Sequence, residues 1–198
     1  MALMDGYPAL KPTKKTGDET LHFNSQPLSH TLSDFWGWSA SDLVSNATRG
    51  ILAEYIVASA LGLSDGIRTE WDACDLITAA GLKIEVKSSS YLQSWFHKKP
   101  SVIEFSIGPT RGWDARTNVS SLESKRQADV YIFALLAHRD KTTLDPLNVA
   151  QWEFYILGSS VLNAKVPTQK KIRLASLLRL GARQVSYDAL SSSLHEYA

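Results

Sequence analysis

Apolar residues recur near helical spacing over about residues 46–61, at Ile51, Leu52, Tyr55, Ala58 and Leu61, with Asn46 placed to cap the segment and Gly62 to end it. The pattern predicts an amphipathic helix. Glu54 falls between those apolar positions, three after Ile51 and four before Ala58, on or beside the buried face. A carboxylate there needs a reason. After Gly66 the pattern shortens to that of strands, predicted at 67–71, 76–78, 82–87, 102–107, 129–136 and 152–157. The segment 129–136 is apolar enough for the centre of a sheet. Helices are expected at 120–127, 175–180 and 187–197, the last capped by Ser186.

Two N-terminal segments are less regular. Residues 1–30 carry three prolines and little periodicity, which predicts an extended or partly ordered arm. In LSDFWGWSASDLVSN, Ser33 is a cap candidate, Gly37 a weak point, and Phe35, Trp36 and Trp38 are expected in the core. With 198 residues, 44% of them hydrophobic, one domain spanning 1–198 is expected. Its predicted architecture is α/β, a mixed central β-sheet flanked by helices.

The segment 75–87 carries the chemistry. Folded as a hairpin around Ala79, Ala80 and Gly81, with Gly81 where such a loop wants a left-handed residue, it sets Thr78 opposite Leu82, Leu76 opposite Ile84 and Asp75 opposite Glu85. Directly opposed residues have β-carbons about 4.5 to 5.5 Å apart. Two carboxylates that close repel unless they converge on a hard cation, which oxygen ligands suit. Strand alternation puts Lys87 on the same face as Glu85, about 6.6 Å along the strand. Leu82, Ile84 and Val86 then face the core. Mg2+ held by Asp75, Glu85 and the Val86 carbonyl would polarise a phosphate and acidify a bound water, and Lys87 would stabilise developing negative charge. Glu54 would add a carboxylate if its helix packs over this edge of the sheet.

The motif Asp, spacer, Glu-x-Lys, preceded by a helix bearing Glu, resembles the PD-(D/E)xK nuclease superfamily over roughly residues 45–90. The resemblance implies a three-layer, restriction-endonuclease-like sandwich and metal-dependent cleavage of DNA, with Asp75 and Glu85 as ligands, Lys87 as catalytic lysine and Glu54 as an accessory acid. It implies Mg2+ as cofactor, with Mn2+ able to substitute, a homodimer for double-strand cleavage, and a cognate methyltransferase if the enzyme is of the restriction type. Cys74 stands where the family often has proline, which leaves Asp72 open beside Asp75 as the ligand. A junction resolvase would use the same residues on branched DNA, and a non-catalytic DNA-binding module could share the fold.

Letters alone do not settle the motif, because Glu123-Ser-Lys125 with Asp114 upstream repeats them. That copy lies in RGWDARTNVSSLESKRQ, where no strand alternation or hairpin loop is evident. Weaker nucleic-acid candidates follow the hairpin, at Ser88, Gln93, Lys98 and Lys99, and in a loop with Arg111 and Arg116. Glu104 is expected on the solvent side of its strand.

Charge adds position rather than sum. The net charge is only +1, but the acids Asp65, Glu70, Asp72 and Asp75 cluster, whereas 154–187 holds six basic residues and no acid. That separation suits a metal meeting a phosphate backbone. One cysteine excludes a disulfide framework and a thiolate-rich zinc site, and no HExxH, P-loop or Gly-x-Ser-x-Gly motif occurs. With no apolar run of spanning length and no signal-like start, a cytoplasmic protein that does not enter membranes is expected.

Overall fold

Seven consecutive buried residues, VYIFALL, cannot alternate between core and water and therefore must be covered on both faces. The computed structural model, which describes residue 7 and residues 9–69, 73–114 and 117–197, places them at the middle of a five-stranded mixed sheet. In chain order the elements are β1 (Thr20–Phe23), β2 (Gln26–Thr31), α1 (Leu32–Ala40), α2 (Asn46–Ala60), β3 (Leu76–Ile77), β4 (Lys83–Ser90), β5 (Glu104–Ser106), β6 (Thr110–Asp114), β7 (Val119–Lys125) and β8 (Val130–Leu136). There follow β9 (Trp152–Gly158), α3 (Ser159–Lys165), β10 (Lys171–Arg173), α4 (Leu174–Arg179), β11 (Arg183–Val185) and α5 (Leu190–Ser193). The main sheet has the order β11-β9-β8-β4-β3, in which β4 and β8 run parallel and every other pair is antiparallel.

Alternation along β4, β8 and β9 divides the core. On one face Ile84, Val86, Ile132, Ala134, Phe154 and Ile156 pack with Ala53, Ile56 and Val57 of α2 and Leu190 of α5. On the other, Tyr131, Phe133, Leu135, Tyr155 and Leu157 pack with Leu162 of α3, Leu177 of α4, and Phe105 and Ile172 of the β5–β10 ribbon. Both faces of β8 are therefore dry, as its composition requires.

Buried Arg126 ties the second layer to the sheet. Its guanidinium donates to the carbonyls of Ile107 and Val166 at 2.8 Å each, to those of Pro167 and Gln169, and to Asn163 Oδ1. A planar fork of donors matches converging carbonyls, so no carboxylate is needed. This fixes the 166–169 turn beside Ile107.

Several sequence expectations change. Helix α2 forms, but Ser45 rather than Asn46 caps it, and Ile51 and Tyr55 are 48% and 59% exposed. The buried residues are Arg49, Ala53, Ile56, Val57 and Ala58, of which Ala58 alone was among the expected apolar positions. A buried arginine breaks the apolar pattern, and Arg49 tolerates burial because it donates to Val44 O and Asn46 Oδ1. Residues 67–69 are not a strand, and 70–72 lie outside the described residues. The helix expected at 120–127 is strand β7, paired with β6 through a turn at Asn118, whose φ is 55°. VSSLESK has no apolar stripe to hold a helix onto a core, so pairing with β6 decides its conformation. The helix expected at 187–197 is reduced to α5 and a single turn over His195–Tyr197.

Within the N-terminal arm, β1 and β2 form a hairpin around Asn24 and Ser25, both with positive φ, a backbone that asparagine tolerates. Thr31, not Ser33, caps α1: its hydroxyl accepts from Asp34 N while Asp34 accepts from Thr31 N at 2.7 Å. Phe35, Trp36 and Trp38 are 49%, 41% and 86% exposed rather than core. The sheet fills its two cores without them. No helix among the described residues is long and apolar enough to cross a membrane.

Candidate active site

The hairpin at 75–87 forms in the expected register. Leu76 faces Ile84 and Ile77 faces Lys83, Thr78 N donates to Leu82 O at 3.0 Å, and Gly81 takes φ +85° in the loop. Leucine and isoleucine behind the strand enter the α2 core, which locks this register: a one-residue slip would drive Glu85 inward. Asp75 continues the pairing one step beyond β3, its N–H donating to Ile84 O at 3.0 Å. Its Oδ2 accepts from Val86 N at 2.7 Å.

That backbone bond brings the Asp75 carboxylate to the edge where Glu85 stands. Burial, then the charge of Glu85, push the Asp75 carboxyl up to about 6, against the opposing pull of Lys87 and the Val86 N–H. The Lys87 ammonium forms an ion pair with Glu85 Oε1. Both side chains are mostly but not fully shielded, at 29% and 20% exposed. Asp75, Glu85 and Lys87 thus meet as the strand pattern requires.

Parallel pairing adds residues the hairpin could not reveal. Glu85 sits beside Tyr131 of β8, and Lys87 beside Phe133. Burial, then Glu85, raise the Tyr131 phenol to about 12, so it stays a proton donor. Glu85, Lys87 and Tyr131 line a pocket whose far wall is Ser106, Gly108, Thr110 and Gln127. The pocket runs on, through Ser106, Gly108 and Thr110, into an open groove lined by Ser124, Thr168 and Lys170. Gln127 fixes one side of it by donating to Thr110 O at 2.9 Å. A tyrosine interrupting the aliphatic run of β8 was the only signal for Tyr131, and nothing marked the others.

Glu54 of α2 lies beside Asp75. Its carboxylate accepts from Arg68 Nε at 2.5 Å and Nη2 at 3.2 Å, in a recess that Asp75 and Leu76 also line. It helps raise Asp75, and neither Glu54 nor Asp75 lines the pocket of Glu85 and Lys87; Asp75 is linked to that pocket through its interaction with Glu85 and Lys87. Arg68 was not legible as its partner.

The remaining candidates are dispersed. Ser88 is half-buried near Gly50 of α2. Gln93 is buried, with its amide donating to Ser90 O and Ser101 Oγ and accepting from Arg49. Lys98, Lys99 and Arg111 are exposed. Arg116 and Asp72 lie outside the described residues. Glu104 pairs with Lys171 at 3.0 Å, facing solvent as expected. Glu123 is exposed on β7, all of whose side chains face water. Contrary to expectation the second copy of the motif is on a strand, yet nothing encloses it. Glu123→Ala is expected to leave any cleavage activity within about twofold of the wild type, since exposed substitutions away from a site have small effects. A large loss in a cleavage assay would shift the centre to that hairpin.

A divalent cation fits the donor set. Among the described residues no three of His, Cys, Asp and Glu gather as a metal cage, but Mg2+ keeps most of its waters and needs only one or two carboxylates. Asp75 and Glu85 supply two hard oxygen donors whose mutual repulsion a cation would relieve.

The family model described as bacteriophage T4 endonuclease IV matches residues 18–171. No curated protein matches the chain. The matched span contains the whole hairpin, the pocket wall and β8.

Proposed function

The chain belongs to the bacteriophage T4 endonuclease IV family, and from that premise we propose that it is a Mg2+-dependent endonuclease hydrolysing DNA phosphodiester bonds at Asp75, Glu85 and Lys87. The family match supports an endonuclease acting on DNA. The observation that carries the assignment is the pairing of Glu85 and Lys87 beside the Tyr131 phenol in one pocket, with the Asp75 carboxylate coupled to them from the adjoining recess and apolar core behind.

Asp75 and Glu85 would hold the ion, which when bound supplies a Lewis acid for the phosphate and lowers the pKa of water. Glu85 holds the Lys87 ammonium over the pocket. There it can donate to a non-bridging oxygen and offset the charge that grows as the phosphorane forms. Tyr131, protonated throughout the neutral range, offers a second donor from the neighbouring strand. Hydroxyls at Ser106, Thr110, Ser124 and Thr168 line the way out and suit a sugar–phosphate backbone, which is held by many weak donors. We assign the site to the PD-(D/E)xK class on its residue types and their cross-strand geometry, and the covered mixed sheet is compatible with a restriction-endonuclease-like arrangement.

Incubation of the purified chain with DNA in Mg2+ is expected to produce internal cuts. Excess chelator should abolish them, and added Mg2+ or Mn2+ should restore them. Undiminished cleavage in chelator would remove the metal from the reading, and no cleavage with either ion would remove the activity.

A further inference from the structure

Four cations gather at the other end of β4 from Asp75. Strands β4 and β8 run parallel and stop in register at Ser90 and Leu136, and the loops that follow them form an open cleft. His97, Lys98 and Lys99 come from one loop and Arg139, Asp140 and Lys141 from the other. Some forty residues of sequence separate the two sets, so only the parallel pairing brings them together. Crevices beyond the carboxyl ends of strands are where open α/β sheets bind ligands.

The cleft is built rather than incidental. Buried Gln93 anchors the first loop from below, and the His97 ring is held between Gln93 N at 3.3 Å and Lys99 O at 2.9 Å. Lys141 Nζ donates to Trp95 O at 2.8 Å, tying the loops together. The Arg139 guanidinium lies 3.9 Å from the centre of the Tyr91 ring, a stacking that occupies its face and leaves its N–H edges to donate. The cleft's own acid, Asp140, is turned to Thr142, accepting from its N and Oγ1 at 2.9 and 2.7 Å. Among the described residues, none of Lys98, Lys99, Arg139 and Lys141 is ion-paired with a carboxylate; the cations that are paired lie elsewhere. Uncompensated positive charge held in a fixed concavity is the footprint of a polyanion.

We infer that this cleft is a second DNA contact, an exosite that grips the phosphate backbone away from the scissile bond. The identity of the ligand rests on the nuclease reading; the preference for a polyanion rests on the cleft alone. Lys87 and Ser90 are about 10 Å apart along β4, and the cleft opens beyond Ser90, so the two sites are separated by at least about three base steps of roughly 3.4 Å. The exosite therefore sets how DNA is positioned on one side of the cut, without taking part in the chemistry.

The test compares the variant Lys98→Gln/Lys99→Gln/Arg139→Gln with a charge-matched control, Lys165→Gln/Arg173→Gln/Arg179→Gln. In a Lys87→Ala background, affinity for a labelled DNA oligonucleotide is measured across a salt series. Each lost phosphate contact lowers the slope of log K against log salt by about 0.7 to 0.9. The cleft variant should therefore lose about 2 to 3 in slope and at least about tenfold in affinity, the control much less. With Lys87 intact, KM should rise about tenfold while kcat at saturating DNA stays within about threefold. If the triple variant misfolds, Lys98→Gln/Lys99→Gln alone should lose about 1.5 in slope. An unchanged slope, or equal losses in cleft variant and control, overturns the exosite. Cleavage with cleft-independent binding leaves the nuclease reading standing and removes the exosite; cleft-dependent binding without cleavage does the reverse.

Discussion

Lys87→Ala is expected to reduce single-turnover cleavage by at least about 10²- to 10³-fold, the usual loss when a preorganised donor to the developing charge is removed. The ammonium is placed by two constraints: β4 alternation, which sets it on the Glu85 face, and the ion pair with Glu85. Removing it deletes the donor and also leaves Asp75 and Glu85 without the cation that opposes their repulsion. Glu85→Ala should lose as much, because one side chain supplies both a metal oxygen and the anchor of Lys87. The two losses should not add, since they act on one unit. Circular dichroism would confirm that both variants fold. Cleavage within about threefold of the wild type in both would take the catalytic centre out of this pocket.

Asp75→Asn is expected to abolish metal-supported cleavage and yet make the metal-free protein more stable at neutral pH. A carboxyl whose ordinary value is 3.8 and which burial and Glu85 lift to about 6 binds its proton more tightly folded than unfolded. The sign follows. Folding stability falls as pH rises from about 4 to about 6, and above that the folded state bears the full cost, at most about 3 kcal/mol. Asparagine carries no charge and can still accept from Val86 N, so the variant should melt roughly 5 °C higher in chelator at pH 7, with the difference vanishing near pH 4. Added Mg2+ should raise the melting temperature of the wild type more than that of the variant. Equal melting behaviour of the two across this pH range would mean Asp75 is not strained by its neighbour.

That Asp75 and Glu85 face each other was legible because a hairpin is local: thirteen residues with a glycine at the loop and apolar residues on alternate positions allow one register that buries the right face. The central strand β8 was legible for a related reason, since an unbroken apolar run must be covered on both faces. The face of α2 was not. Arg49 is buried with its guanidinium donating to Val44 O and Asn46 Oδ1 close by in sequence and to Gln93 Oε1 from a distant loop, and counting it as polar rotates the inferred stripe toward Ile51 and Tyr55. Strand β7 was missed because a polar segment takes its conformation from the strand it pairs with.

The sequence by itself determined the hairpin that carries Asp75, Glu85 and Lys87, its polar and apolar faces, and an apolar strand central to the sheet. Only the tertiary structure decided which side chains share the pocket. Tyr131 reaches Glu85 through parallel pairing across 46 positions of chain, Glu54 is engaged by Arg68, and the cations at 98–99 and 139–141 meet because two strands end in register. The physical reason is range. Alternation and turn geometry act over a few residues and are written locally, whereas parallel pairing and the burial of charge depend on partners whose distance along the chain no local pattern encodes.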